Sequence, residues 1–190
     1  MVYNSFMGVE DVTQRKKAIM GFLYANDAEP VDKIHLMKEV FWLSGQSATF
    51  SELIENYGPY DYGPDDQELE ADVEELVSFG YVDILNEKEK QYAISTEGKK
   101  IIKDLFGEKE LLVFETIKQT LNRLTFEELL FLVYKRFPEF AVNSVAKNVL
   151  KKERQIIPRL ISKGAISQAY AAKILGISIQ EVQHLCKCRC

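Results

Sequence analysis

"DDQELEADVEELVSFGYVDILNEKEKQYAISTEGKKI", residues 65–101, is the stretch on which the fold turns. In its first part Leu69, Val73, Leu76 and Val77 recur at helical spacing, acidic residues crowd the end where the helix dipole is positive, and Gly80 supplies a stop. "YVDIL" (81–85) and "QYAIS" (91–95) then alternate about the polar turn "NEKEK" (86–90), which predicts a β-hairpin. "TEGKKIIKDLFG" (96–107) resumes a helix.

Toward the N-terminus, Ile19, Phe22 and Leu23 give a helix from near Asp11 to about Asn26. Pro30 is read as opening a second helix, with Ile34, Met37, Val40 and Phe41 on its apolar face and Gly45 at its end. In the short segment that follows, Thr49 and Glu52 have capping-box spacing, and "GPYDYGP" (58–64) interrupts regular structure. Three helices, a hairpin and a helix are the order of a winged helix. "LVSFGYVDI" followed by "YAISTEGKKI" resembles the end of many such domains.

More specifically, "YGPYDYGPDDQELEADVEELVSFGYVDI" resembles the YwgA-like winged-helix proteins and, more distantly, the Panacea-type antitoxins, in which an aromatic-Gly-Pro turn precedes such a helix. The resemblance continues through "LTFEELLFLVYKRFPEF" and covers about residues 13–145. It implies a regulatory or interaction role rather than a reaction.

With 46% apolar residues, the 190-residue chain can bury a real core. Its apolar runs are too short to span a bilayer, and "MVYNSFMGVEDV" has no signal-peptide pattern, so a cytoplasmic protein with no membrane contact is expected. The net charge of -5 conceals an asymmetry: residues 1–100 carry 9 Lys/Arg against 20 Asp/Glu, whereas residues 141–190 carry 9 against 2. A basic block on an acidic chain suggests one face meant for a polyanion.

In a winged helix the helix before the wing usually enters the major groove. Here that helix carries Asp65, Asp66, Glu68, Glu70, Asp72, Glu74 and Glu75, with no Lys or Arg between Lys38 and Lys88. Beside phosphates spaced at one charge per about 1.7 Å of duplex it would repel, so it is rejected as a groove reader. Its carboxylates read as solvent-facing. Tyr57, Tyr60 and Tyr62 on the Gly-Pro turn are either candidate anchors for a protein partner or structural residues packed across helix ends.

The DNA reader is placed at the C-terminus instead. "QAYAAKILGISIQEVQHL" (168–185) fits a helix-turn-helix: Ala172 where the helices approach closely, Gly176 where the turn needs a positive φ, Ser178 as N-cap, and Ile177, Val182 and Leu185 facing the first helix. "LISKGAISQAYAAKILGIS" resembles small prokaryotic antitoxin-like proteins over about residues 155–186, which implies a regulator, often a DNA-binding dimer; the ribbon-like N-terminal segment of that family is not apparent. Ser178, Gln180, Gln183, His184 and Lys187 are the candidate base readers. Lys147, Lys151, Lys152, Arg154, Arg159, Lys163 and Lys173 are the candidate phosphate contacts.

His184, Cys186, Cys188 and Cys190 alternate and form a minority metal option, for a strand would align them and a helix would scatter them. No phosphate-cradling loop or nucleophile elbow occurs, and His35 reads as a core-edge residue, so no enzyme and no cofactor are expected.

The resulting expectation is a mainly α protein: a winged-helix-like domain with a short β-hairpin (1–107), a helical extension (108–143) and a basic helix-turn-helix (144–190). Within the last region a Lys-rich helix from about Ser144 to Gln155 leads up to Pro158. The function expected is transcriptional regulation by a homodimer on double-stranded DNA. The acidic half would serve dimerisation or a protein partner such as a toxin. The alternative is an interaction adaptor that binds no DNA.

Overall fold

A computed structural model describes residues 12–86, 88 and 90–187. The chain is mainly helical with a small antiparallel sheet, and it forms two compact units, Met1–Gly58 with Pro64–Gln119, and Pro59–Gly63 with Thr120–Cys190. The contacts thus group the residues in two rather than in the three consecutive blocks expected from sequence.

The first unit holds α1 (Gln14–Ala28), β1 (Val31–Asp32), α2 (Lys33–Ser44), a 3-10 segment (Ala48–Asn56), α3 (Gln67–Ser78), β4 (Val82–Asn86), β5 (Gln91–Ile94) and α4 (Thr96–Leu105). Residues 58–64, expected to interrupt regular structure, instead form a short two-stranded sheet: β2 (Gly58–Tyr60) and β3 (Gly63–Asp65) each carry one Gly-Pro pair, and the chain turns at Asp61 and Tyr62 between them. The three-stranded sheet has the order β1-β5-β4, with Val31 opposite Tyr92 and Val82 opposite Ile94. In sequence β1 lies between the first two helices, and the β4–β5 hairpin completes the sheet. Ile19, Phe22, Leu23, Leu36, Phe41, Leu69, Leu76 and Ile102 are fully buried in its core.

Several local expectations are corrected. Pro30 does not open α2: Asp32 caps it, its carboxylate accepting from the backbone N–H of Ile34 at 2.9 Å and of His35 at 3.0 Å. Ile34 is 45% exposed and lies off the apolar face. The Thr49/Glu52 capping box does not form, because the segment is a 3-10 helix that already starts at Ala48. In the first turn of α4, Gly98 is required by close approach, since a Cβ there would lie 2.2 Å from the Tyr81 carbonyl oxygen.

The acidic α3 helix is also not simply solvent-facing. Asp66 and Asp72 are buried, and Arg15 of α1 meets Asp72 at 2.5 Å, Glu68 at 2.9 Å and Asp66 at 3.2 Å. Lys16 meets Glu75 at 2.8 Å and Asp72 at 3.3 Å. Lys33 and Lys90 both pair with Glu70. The cations missing from the local sequence are supplied from α1, α2 and the wing, so much of the helix's charge is committed to holding the first unit together.

The helical extension begins with α5 (Glu108–Leu121), whose N-terminal portion belongs to the first unit. Phe114 explains this, its ring lying 5.0 Å from Phe22 and from Phe106, both edge-on. In the second unit α6 (Phe126–Arg136) opens with a full capping box between Thr125 and Glu128. Two 3-10 segments, Pro138–Ala141 and Lys147–Lys152, lead to α7 (Glu153–Ser162), α8 (Gln168–Leu175) and α9 (Ile179–Lys187). The Lys-rich helix read as ending before Pro158 is therefore redrawn: its first half is a 3-10 turn, and Pro158 lies inside α7, buried.

Candidate nucleic-acid interface

The sequence around Gly176 builds the helix pair locally. Gly176 takes φ 65, and its N–H and that of Ile177 both return to the Ala172 carbonyl, which ends α8 and turns the chain. Ser178 then caps α9, its hydroxyl accepting from the Glu181 N–H at 3.2 Å while the Glu181 carboxylate accepts from the Ser178 N–H at 2.8 Å. Glu181 is held below the ordinary carboxylate range, chiefly by the Ser178 N–H and hydroxyl, with Arg154 adding its charge. The seam between the helices is made by Ala171 and Val182, both fully buried, and by Ala172; Ile177 and Leu185 are half-buried.

With Val182 turned inward, Gln180, Gln183, His184 and Lys187 fall at i, i+3, i+4 and i+7 on α9, and all four are exposed. The structure therefore brings four of the five expected base readers onto one face. Ser178 is also exposed, but its hydroxyl is engaged by Glu181 as donor and acceptor. The amide of Gln183 donates from Nε2 to Oε1 of Gln168 at 3.2 Å, a link across the helix pair that the sequence reading missed. A glutamine directly after the Ser167 N-cap, at the end of α8 remote from the Gly176 turn, is the signal that could have found it.

The seven expected phosphate contacts divide into two groups. Lys147, Lys151, Arg154 and Lys173 are exposed and make no ion pair among the described residues. Lys152 and Arg159 instead meet Glu127 at 2.5 and 3.3 Å, and Arg159 and Lys163 meet the buried Glu128 at 3.2 and 2.5 Å. The Lys152 ammonium and then Arg159 hold Glu127 below its usual range. Burial pushes Glu128 upward, but Lys163, the Thr125 N–H and Arg159 together outweigh it and leave its carboxyl lowered. These three cations are fastened to α6, a task that no spacing in the sequence announces.

The tyrosines separate as well. Tyr57 is 7% exposed, stacks edge-on against Phe41 at 5.0 Å and donates its hydroxyl to the Met37 carbonyl at 3.3 Å, so it belongs to the core rather than to a partner surface. Tyr60 and Tyr62 are 57% and 50% exposed and group with the second unit, where Tyr62 meets Phe126 at 5.7 Å. Asp61 between them accepts from the Val145 N–H at 3.0 Å and the Ser144 hydroxyl at 2.8 Å, which fixes the turn.

Of the metal option, His184 and Cys186 lie within α9, so up to Lys187 the alternation runs on a helix that turns the two side chains apart. Cys188 and Cys190 lie outside the described residues. Among the described residues no group of His, Cys, Asp and Glu is arranged to hold a metal ion, and no helix is long and apolar enough to cross a membrane. Nothing matches this chain among models of protein families, curated proteins or solved structures.

Proposed function

We propose that the chain is a DNA-binding transcriptional regulator that reads duplex DNA with α9. The observation that carries this is the exposed face of Gln180, Gln183, His184 and Lys187, presented by a capped helix pair inside the basic unit. Glutamine amides match the donor and acceptor of adenine, and lysine reaches guanine or phosphate. Lys147, Lys151, Arg154 and Lys173 supply charge for the backbone. The reading places the protein in the cytoplasm, and because one helix pair gives limited affinity, on two half-sites as a homodimer. It accords with the antitoxin-like resemblance of residues 155–186.

Electrophoretic shift of a random-sequence duplex at rising salt tests the reading. Binding that weakens steeply with salt and is lost on combined Lys151→Glu and Arg154→Glu is expected. No binding at low salt, or binding indifferent to those substitutions, overturns it.

The second reading is an interaction adaptor, in which Tyr60 and Tyr62 meet a protein partner such as a toxin. It is favoured by the exposure of Tyr60, Tyr62, Val142 and Val145 at 57%, 50%, 67% and 65% in the second unit.

A further inference from the structure

We propose that Gln168 is the positioning partner of Gln183, fixing its amide so that α9 selects adenine at one position of the site. The inference rests on the DNA-binding reading and adds to it a specificity element drawn from the other helix of the pair. A glutamine amide has two N–H donors and one carbonyl acceptor. In the structure one Gln183 N–H is given to Oε1 of Gln168 at 3.2 Å. The remaining N–H and the Gln183 Oε1 are the pair required to donate to adenine N7 and accept from adenine N6.

The geometry also fixes which side chain reads and which supports. Gln183 lies in the middle of α9 on the face shared with Gln180 and Lys187, whereas Gln168 is the first residue of α8, half-buried beside the Ser167 cap. An unrestrained glutamine on a helix surface samples several rotamers, and its amide can present donor or acceptor to either side. Held by Gln168, it presents one edge only. Binding then orders less, and a guanine, whose N7 and O6 both accept, meets the Gln183 oxygen instead of a donor. The Nε2 of Gln168 keeps both of its N–H groups for a phosphate oxygen.

The full chain is used to select sites from a random-sequence duplex pool, and affinities are then measured on the selected duplex, on versions with each A·T pair changed to G·C, and on a random duplex. Gln183→Ala is expected to erase the preference at one A·T position, by on the order of tenfold. Gln168→Leu is expected to lose much of the preference at that same position and at no other, and the double variant to behave as Gln183→Ala. Gln168→Glu keeps the acceptor for Gln183 Nε2 and so retains the preference, while binding every duplex more weakly. If Gln168→Leu weakens all duplexes equally, leaves the position unchanged, or adds to Gln183→Ala, the positioning role is overturned and the DNA reading stands. If the wild-type chain binds neither the pool nor random duplex, both fall together.

Discussion

Lys118 on α5 donates to the carbonyl oxygen of Phe22 on α1 at 2.8 Å, and the same ammonium reaches the carbonyls of Ala25 at 3.2 Å and Glu29 at 2.6 Å. Those oxygens surround the place where α1 leaves helical geometry and Asn26, Asp27 and Ala28 all take positive φ, near 55–59. Side chains rarely adopt this conformation, which costs roughly 1–2 kcal/mol per residue. A fully buried lysine that satisfies the open carbonyls of a helix end holds it in place. Lys118→Met is expected to destabilise the protein by about 2–4 kcal/mol, read as a lowered midpoint in urea, because the three carbonyls lose the ammonium that donates to them. A midpoint within error of wild type would show that the turn is held by other contacts.

Near Lys118 lies Glu39, entirely buried, with neither carboxylate oxygen hydrogen-bonded among the described residues. Burial pushes its carboxyl up from 4.5 to about 7, against the opposing charges of Lys118 and His35. The folded value lies above the unfolded one, so Glu39's contribution to stability is full below about pH 4.5 and is lost as pH rises through about 7, by about 3 kcal/mol in all. Glu39→Gln is expected to match wild type near about pH 4.5 and to exceed it by about 3 kcal/mol near about pH 8.5. Equal differences at both pH values in urea unfolding would refute the titration.

The division of the cations predicts different behaviour on DNA. Lys151→Gln, Arg154→Gln and Lys173→Gln are each expected to reduce the slope of log affinity against log salt by about 0.9 with stability unchanged. Lys163→Gln is expected to cost stability, since it withdraws one partner from the buried Glu128. Its effect on the salt slope is expected to be smaller. Uniform slope changes across both groups would mean that the α6 ion pairs open on binding.

Two tyrosine substitutions should part company. Tyr57→Ala removes a buried aromatic and is expected to cost about 3 kcal/mol, whereas the double variant Tyr60→Ser, Tyr62→Ser is expected to leave thermal stability nearly unchanged. If the exposed pair serves self-association, the same double variant sediments as a monomer at concentrations where the wild type does not.

The elements that were legible are those whose signals are local. α3, the hairpin and α4 announce themselves within residues 65–107, and Gly176 and Val182 do the same for the closing helix pair. β1 was illegible because two residues have no period, and Val31 becomes a strand only by meeting Tyr92. The misplaced start of α2 followed from the same omission, for Pro30 leads into β1 and the cap falls to Asp32. The site was legible on α9, where exposure follows from spacing, and illegible for Gln168, Lys152, Arg159 and Lys163. Their partners, Gln183, Glu127 and Glu128, lie 15 to 35 residues away, and no periodicity connects them.

Residues 59–63 belong to the second unit although the chain on either side of them belongs to the first. No single cut can therefore release both units whole. A fragment that starts at Thr120 leaves behind Asp61, and with it the acceptor used by Val145 and Ser144. A gene fusion or truncation made at the apparent junction near residue 120 would carry α9 intact but leave its supporting unit one strand-turn short, so isolating the closing helix pair with its unit calls for grafting that pentapeptide back rather than trimming.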